Sequence, residues 1–213
     1  MSEELVRELI ARPPMVRELP GFDAERAPEE PAPLFVEWLR GALAADVPDA
    51  QVVTLSTVDA EGMPDARVLV LRDVDPARSG WVFWADADSP KGRQLAADPR
   101  AAMTVYWPQL GRQVRVRGTV RAVPAPAALT RSPGARAASL VGRQSEPLGS
   151  AAEYDAAFTA ALAAGPALPV SGHTVYTLEA ATVEFWQGDP SRRHVRLRYE
   201  RSAAGWSRTL LWP

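Results

Sequence analysis

The chain has 213 residues, of which 46% are hydrophobic and 23% charged, which predicts one globular domain and excludes both a disordered chain and a membrane span. It has no cysteine, which excludes disulfides, thiolate metal sites and a cysteine nucleophile, and its two histidines, His173 and His194, leave little for a metal site. The formal net charge of −2 argues against bulk electrostatic binding to nucleic acid.

Residues 1–33 are predicted to form an extended arm in front of the domain. The N-terminus, MSEELVRELIARPP, lacks the basic stretch and apolar core of a secretory signal, so we predict a cytoplasmic protein. Six prolines between residues 13 and 33 disfavour helix and sheet. A domain over residues 34–213 then begins with a helix, whose apolar face is predicted to comprise Leu34, Phe35, Trp38, Leu39 and Leu43.

Short alternating runs between residues 51 and 123 predict an antiparallel meander: QVVTLSTV, ARVLVLRDV, GWVFWAD, AAMTVYW and RQVRVRGTVRAV. A short helix interrupts them, because Ser89 is a typical N-cap and Pro90 suits the first helical position. Another helix is predicted over SAAEYDAAFTAALAAG, and strands return in HTVYTL, ATVEFWQG, HVRLRYER and GWSRTLLW. About eight or nine strands with three or four helices indicate a β-barrel or curled sheet with peripheral helices.

The short motifs of nucleotide triphosphatases, zinc hydrolases and α/β hydrolases are absent, which leaves arginines on the predicted strands. Arg67 and Arg72 are five residues apart and face opposite sides of a strand unless a bulge intervenes. Lys91, the only lysine, lies in the first turn of a helix, where an anion is favoured. A phosphate held by Lys91 and Arg67 is physically reasonable, but from these positions alone solvated surface charges are the simpler interpretation.

Two later stretches are also rich in arginine. The arginines of residues 112–121 alternate with valines, which indicates a strand with a charged outer face rather than a nucleic-acid surface. In EFWQGDPSRRHVRLRY, Arg192, His194 and Arg196 are predicted to alternate on one face of a returning strand. Because these side chains repel one another, we favour an anionic or electron-rich ligand beside them; the alternative is an exposed strand face or a core histidine.

An ordered series of motifs resembles the pyridoxamine 5′-phosphate oxidase family of flavin enzymes. The motifs are ARVLVLR (66–72), GWVFWAD (80–86), SPKGRQLAADPRAAMTVYW (89–107), RQVRVRG (112–118), RQSEPL (143–148) and VEFWQGDPSRRHVRLRY (183–199). The resemblance implies a mainly β protein with peripheral helices, an FMN-binding split β-barrel of antiparallel Greek-key type. It also implies a homodimer that holds FMN at the subunit interface.

The resemblance assigns site residues by motif position. The implied FMN contacts are Arg67, Val68, Leu69, Val70, Leu71, Arg72, Trp84, Ala85, Ser89, Lys91, Gln113, Gln144, Ser145, Trp186 and Arg196. The implied substrate contacts are Arg72, Arg131, Arg192 and His194, of which Arg192 and His194 form the implied catalytic pair. No metal site is implied.

The sequence departs from the family pattern at several of these positions. The family's strand-end lysine is Arg72, its Tyr-Thr pair is Trp84-Ala85, and the arginine of its Ser-Arg-Lys is Pro90. The tyrosine and serine expected around the substrate phosphate fall at Ala127 and Ala135. Each lost hydrogen bond to a charged group is worth about 1.5–3 kcal/mol, which argues against a vitamin phosphate as substrate.

The RQSEPL stretch and the ending RYERSAAGW resemble the phenazine-biosynthesis branch of the family. The leading hypothesis is an FMN-dependent oxidase that transfers a hydride from a reduced nitrogen heterocycle to the flavin, with O2 as acceptor. In it, Arg196 stabilises reduced flavin while Arg192 and His194 position the substrate. A pyridoxine or pyridoxamine 5′-phosphate oxidase is the second hypothesis, and a flavin-binding protein without turnover is the third.

Overall fold

Eight strands and five α-helices are formed by the part of the chain that the computed structural model describes, residues 3–125, 132–164 and 168–213. The strands are β1 (Val52–Val58), β2 (Pro64–Asp75), β3 (Gly80–Asp86), β4 (Arg100–Trp107), β5 (Arg112–Pro124), β6 (His173–Gln187), β7 (Val195–Ser202) and β8 (Gly205–Leu211). The helices are α1 (Glu3–Ile10), α2 (Pro31–Ala44), α3 (Pro90–Ala97), α4 (Pro133–Val141) and α5 (Ala151–Ala163). No helix within these ranges is long and apolar enough to cross a membrane.

Six of the strands close into an antiparallel barrel. The strand order is β3-β2-β1-β4-β5-β6, and a further pairing between β3 and β6 closes the ring. Strand β4 returns beside β1 after the β1–β2–β3 hairpins, which is the Greek-key order. Strands β7 and β8 continue from β6 outside the closed ring. The split β-barrel predicted from the sequence is confirmed.

Strand β6 joins the closed ring to its extension. It is one strand of 15 residues, where the sequence predicted two. Its first half pairs with β3 and its second half with β7, while β5 runs along both halves. The register with β5 shifts between Arg117 and Gly118, which leaves Ala181 without a partner on β5. Such a bulge adds local twist, so one continuous strand can serve both pairings.

Helix α2 supplies aromatic side chains to the core. The Phe35 ring lies 5.5 Å from Trp81 and the Trp38 ring 5.2 Å from Phe185, both edge to face, and all four residues are buried. Full burial of a large apolar side chain contributes about 1.5–3 kcal/mol, so these contacts stabilise the helix on the barrel. Leu43, predicted on the same face, is 52% exposed, because nine helical residues turn it about 180° away from Leu34.

The N-terminal arm is only partly the extended segment predicted for residues 1–33, because residues 11–30 form no helix or strand but helices lie on both sides of them. Residues Glu3–Ile10 form α1, which has no buried residue. Helix α2 begins at Pro31, because proline is well suited to the first helical turn. Ala27 is buried, and the Tyr199 hydroxyl donates to the Pro28 carbonyl at 2.7 Å. The end of the arm is therefore packed on the domain, and the predicted boundary before residue 34 falls inside a helix.

Helices α3, α4 and α5 each begin after a serine whose side chain caps the helix. The Ser89 hydroxyl accepts from the Gly92 N–H at 3.3 Å, as predicted for α3. Helix α4 was not predicted, although Ser132 and Pro133 repeat the same serine-proline signal and the Ser132 hydroxyl caps the helix. Helix α5 begins after Ser150 as predicted. The residues predicted to end it, 165 and 166, lie outside the described part of the chain.

Candidate functional site

A cleft of about 840 Å³ lies against β2, β3 and the start of α3, within the size range of small-molecule sites. Its remaining walls come from α4, the segment that follows α4, and the residues that lead into β6. Eight of the predicted FMN contacts line it: Arg67, Val68, Leu69, Trp84, Ala85, Lys91, Gln144 and Ser145. Residues more than seventy positions apart in the sequence thus meet in one cavity.

Lys91 connects α3 to the segment after α4. Its ammonium donates to the Gln144 side-chain oxygen at 2.6 Å and to the Ser89 hydroxyl at 3.1 Å. Burial, and after it the nearby charge of Arg67, lower the pKa of Lys91 below its ordinary value, while Asp86 acts in the opposite direction. A cation in this condition is stabilised by an anion placed beside it, which makes this end of the cleft suited to a phosphate.

Arg67 is held by four hydrogen bonds. One terminal nitrogen, Nη1, donates to the Thr57 hydroxyl at 2.6 Å and to the Leu55 carbonyl at 3.3 Å. The other, Nη2, donates to an Asp65 carboxylate oxygen at 2.5 Å and to the Gln94 side-chain oxygen at 3.0 Å. None of these partners was predicted from the sequence. Asp65 could have been found, because residues two apart on a strand share a face.

Trp84 forms an aromatic wall of the cleft. The Arg72 guanidinium lies 5.1 Å from the centroid of this indole, and the His173 ring meets it edge to face at 5.5 Å. The pairing of β2 with β3 shifts register between Leu71 and Asp73, so Arg72 sits in a bulge. A bulge therefore occurs, as the sequence argument allowed, but of the two arginines only Arg67 lines the cleft, and Arg72 contacts the wall residue Trp84.

Four of the predicted FMN contacts on these elements do not line the cleft. Leu71 is buried in the barrel core, Val70 is partly buried on β2, and Arg72 reaches only the Trp84 ring. Ser89 is 1% exposed, and its hydroxyl donates to the Asp86 carbonyl at 2.6 Å as well as capping α3. Ser89 therefore does not face the cavity, and its hydroxyl holds the start of α3 and the Lys91 ammonium in place.

A second group of predicted contacts lies on the face of β5, β6 and β7 that points away from the barrel core. Gln113 is directly opposite Trp186, and Trp186 is directly opposite Arg196, so the three form a row across three strands, the outer row. The His194 ring lies 4.8 Å from the Trp186 ring. None of these four residues is among those that line the cleft. In one protomer, the predicted FMN contacts are divided between two places.

Glu184 neutralises the cations next to the outer row. Its carboxylate accepts from Arg196 at 2.8 Å and from Arg115 at 2.9 Å, and its side chain is only 8% exposed. Nη1 of Arg196 donates to the Trp212 carbonyl at 3.0 Å. The mutual repulsion predicted for Arg196 and its neighbours is therefore wrong, because a carboxylate on the adjacent strand compensates it.

The loop before β7 holds Arg192 and His194, which were predicted to lie on the strand. Strand β7 begins only at Val195, so the prediction of three alternating side chains on one strand face is wrong. The Asp189 N–H donates to His194 Nδ1 at 3.0 Å, which places the hydrogen of a neutral imidazole on Nε2. Arg192 has φ 64°, a left-handed conformation that is costly for a residue with a β-carbon. This loop is thus held in one shape by Asp189.

The predicted substrate-phosphate region is only partly described. Arg131 and Ala127 lie outside the described residues. Ala135, where the resemblance places a phosphate-binding serine, lies on α4 and lines the cleft. Its backbone N–H donates to the Ser132 hydroxyl and its side chain is a methyl group, so Ala135 offers the cleft no hydrogen-bond donor.

The described part of the chain forms a split barrel whose cleft carries two cations and an aromatic wall, a lining that suits a ligand with an anionic group and an aromatic ring. Residues 39–187 match the family described as Pyridoxamine 5′-phosphate oxidase. Residues 173–213 match the Pyridoxine 5′-phosphate oxidase C-terminal dimerisation region, which supports a homodimer. The chain therefore belongs to the pyridoxamine 5′-phosphate oxidase family, whose oxidases are FMN-dependent oxidoreductases, and the family predicted from the motifs is confirmed.

Curated relatives match over most of the chain. A pyridoxine/pyridoxamine 5′-phosphate oxidase of Thermosynechococcus vestitus is 39% identical over 193 residues, covering 88% of this chain and 90% of the relative. One of Burkholderia multivorans is 39% identical over 201 residues, covering 90% and 92%. Among solved structures, PhzG from Burkholderia lata 383, in complex with tetrahydrophenazine-1-carboxylic acid, is 31% identical with a TM-score of 0.84, covering 92% of this chain and 100% of that one.

Proposed function

We propose that the chain is an FMN-dependent oxidase whose active site combines the cleft of one protomer with the outer row of a second. The observation that carries this proposal is the division of the predicted FMN contacts between two places on one protomer. The outer row lies on β5–β7, and residues 173–213 match a dimerisation region. Pairing two copies would bring each cleft against the partner's outer row.

The residues of the cleft suit FMN. Lys91 and Arg67 would hold the phosphate, since they are the two cations that line the cleft in the described part of the chain. Trp84 offers an aromatic surface and Gln144 an amide to the rest of the cofactor. The lowered pKa of Lys91 supports this assignment, because an anion would relieve the cause of the shift. When bound, FMN would supply a hydride acceptor that O2 can reoxidise.

The side chains near the outer row would orient the substrate and stabilise charge. The His194 ring packs on Trp186, and its Nε2 is available as a donor while Nδ1 accepts from Asp189. Arg192 is carried on the same loop and would position an electron-rich substrate beside this donor. Arg196, fixed by Glu184, would stabilise negative charge that develops on the reduced cofactor.

For the substrate we propose a reduced nitrogen heterocycle of the phenazine type. Ala135 lines the cleft with a methyl group in place of the serine that the family uses for a substrate phosphate. An ionised phosphate without such donors loses hydration that the site does not replace. The similarity to PhzG at 31% identity and a TM-score of 0.84 supports the same substrate class. A cytoplasmic location and O2 as acceptor belong to this proposal.

Oxidation of pyridoxine or pyridoxamine 5′-phosphate is the second candidate. The observation in its favour is that the curated relatives named for this activity are 35–39% identical to the chain. Arg192 and His194, which the resemblance assigns to the substrate in both cases, are retained. The two candidates therefore differ at the phosphate end of the substrate.

The deciding experiment is the anaerobic reduction of the FMN-loaded protein by each substrate class, followed by oxygen uptake in air. We expect a dihydro- or tetrahydrophenazine carboxylic acid to bleach the flavin in a single turnover, and pyridoxine 5′-phosphate to react slowly. A kcat/KM for pyridoxine 5′-phosphate of about 10⁴ M⁻¹s⁻¹ or more, the lower edge of ordinary enzymes, would reverse this ranking. Bound flavin that neither class reduces would identify a flavin-binding protein without turnover.

A further inference from the structure

Arg67 and Lys91 differ in the charge of their partners. Two of the hydrogen bonds from Arg67 go to neutral oxygens of Thr57 and Leu55, one goes to the Gln94 amide, and one goes to the Asp65 carboxylate. The hydrogen bonds from Lys91 go only to neutral groups, Ser89 and Gln144. Among the described residues, Arg67 therefore has a carboxylate as a hydrogen-bond partner, whereas Lys91 has only neutral hydrogen-bond partners and feels Asp86 through its charge alone.

The ion pair between Asp65 and Arg67 is supported by a neighbouring side chain. Its carboxylate oxygen also accepts from the Gln94 amide at 3.1 Å, so Gln94 bridges the acid and the guanidinium. This hydrogen bond from Gln94, followed by the charge of Arg67, outweighs desolvation and holds the pKa of Asp65 below its ordinary value. The carboxylate is therefore negative at neutral pH, and its side chain is 46% exposed towards the cleft that it lines.

We propose that Asp65 is a specificity-determining residue that competes with the cofactor phosphate for Arg67 and so narrows the preference of this site for FMN over riboflavin. The inference rests on the proposed function, in which the cleft binds FMN. A flavin phosphate carries a charge of about −1.5 to −2 at pH 7, and it must either displace Asp65 from Nη2 or lie beside it. Like charges at one guanidinium repel each other, whereas riboflavin brings no such charge.

The test is a titration of the apoprotein with FMN and, separately, with riboflavin, followed by quenching of flavin fluorescence. In Asp65→Asn the carboxylate is removed, while the amide oxygen can still accept from Arg67 and Gln94. We expect FMN to bind about three- to fivefold more tightly and riboflavin to change by less than about twofold. Asp65→Ser, which has a shorter side chain, should show the same sign.

A matched control is available in the chain. Asp98 and Arg100 are also two residues apart and are ion-paired at 2.6 Å, and neither lines the cleft. Asp98→Asn should leave both flavin affinities unchanged. High salt should reduce the gain in FMN affinity of Asp65→Asn. The substitution removes a repulsion between partly exposed charges, which salt already screens in the unmodified protein.

Each other outcome overturns the inference. If FMN affinity is weaker in Asp65→Asn, the carboxylate positions Arg67 for the phosphate instead of competing with it, and an unchanged FMN affinity means that the two do not compete. An equal gain for FMN and riboflavin means that Asp65 acts on the rest of the flavin. If the unmodified protein binds neither flavin, the proposed function fails together with the inference, whereas FMN binding with an unchanged ratio overturns the role of Asp65 alone.

Discussion

Glu184 on β6 and Arg196 on β7 are diagonal neighbours on adjacent strands, and one Glu184 carboxylate oxygen accepts from Arg196 Nε at 3.0 Å and from Nη2 at 2.8 Å. The Glu184 side chain is 8% exposed and that of Arg196 is 29% exposed. This pair sets the guanidinium plane next to Trp186, the central member of the outer row. The position of Arg196 is therefore determined before any ligand or second protomer arrives.

Glu184→Gln is expected to lower the free energy of unfolding by about 1–3 kcal/mol, because it leaves two arginines without their shared, largely buried carboxylate. Urea denaturation measures the change. Glu179→Gln is the matched control on the same strand, since Glu179 pairs with Arg121 at 3.4 Å and the two side chains are 40% and 47% exposed. Its effect should stay within about 0.5 kcal/mol. Equal losses in the two variants would contradict the role given to burial.

Lys91 is expected to make FMN binding dependent on pH in the alkaline range. Its pKa is lowered in the free cleft, and a bound phosphate raises it, so the complex holds more protons than the free protein between the two values. FMN affinity should therefore fall as the pH rises from about 7 to about 10, where the phosphate charge no longer changes. Isothermal titration at several pH values, with riboflavin as reference, measures this slope.

The same measurement on variants separates charge from titration. Lys91→Arg keeps a positive charge that does not titrate in this range, so the slope should disappear while FMN still binds more tightly than riboflavin. Lys91→Ala should weaken FMN more than riboflavin. Arg93→Ala, on the same helix but outside the cleft, should change neither affinity. A loss in Lys91→Ala that is equal for FMN and riboflavin would remove Lys91 from the phosphate site.

Mixed dimers test whether the site is shared between protomers. Lys91→Ala disables the cleft, and Trp186→Ala disables the outer row. Suppose that each site uses the cleft of one chain and the outer row of the other. A mixed dimer of one Lys91→Ala chain and one Trp186→Ala chain then has one site with both substitutions and one site with neither. Mixing the variants under exchange conditions should then restore flavin binding to about a quarter of the wild-type level, as measured by absorbance after gel filtration, because half of the dimers are mixed.

A mixture that recovers no binding, although the two chains have exchanged, would place both groups of residues in the same protomer's site. Sedimentation of the holoprotein gives an independent reading, since a monomer that retains one FMN per chain excludes a shared site. Each variant alone serves as the baseline for the mixture.

Arg192→Ala is expected to lower kcat about a hundredfold while FMN occupancy stays nearly unchanged, because Arg192 is carried on the loop beside Trp186 and not in the cleft. Alanine keeps a β-carbon, so the left-handed backbone at φ 64° is not relieved by the substitution. Steady-state kinetics and the flavin content of the purified variant provide the two readings. Arg193→Ala, one residue further along, is the control, and similar kcat losses in both variants would assign the effect to the shape of the loop.

The amino-acid sequence by itself determined the local elements and the family. Alternating residues mark β1 to β5, and a serine followed by proline marks the start of α3, because these signals depend on neighbours in the chain. The motif order from residue 66 to residue 199 identified the family that the comparisons confirm. The same local reasoning predicted α3 but missed α4, although Ser132 and Pro133 carry the signal that Ser89 and Pro90 carry.

Only the tertiary structure decided which of the predicted residues meet. Closure of the barrel by β3 and β6 joins segments about ninety residues apart, and the bulge at Arg72 depends on how β2 pairs with β3. Two side-chain hydrogen bonds join different elements: Gln94 donates to Asp65, and Arg115 donates to Glu184. The periodicity of the sequence does not predict such bonds. Such contacts depend on strand register and on burial, which the whole fold sets, whereas caps and alternation are properties of a few consecutive residues.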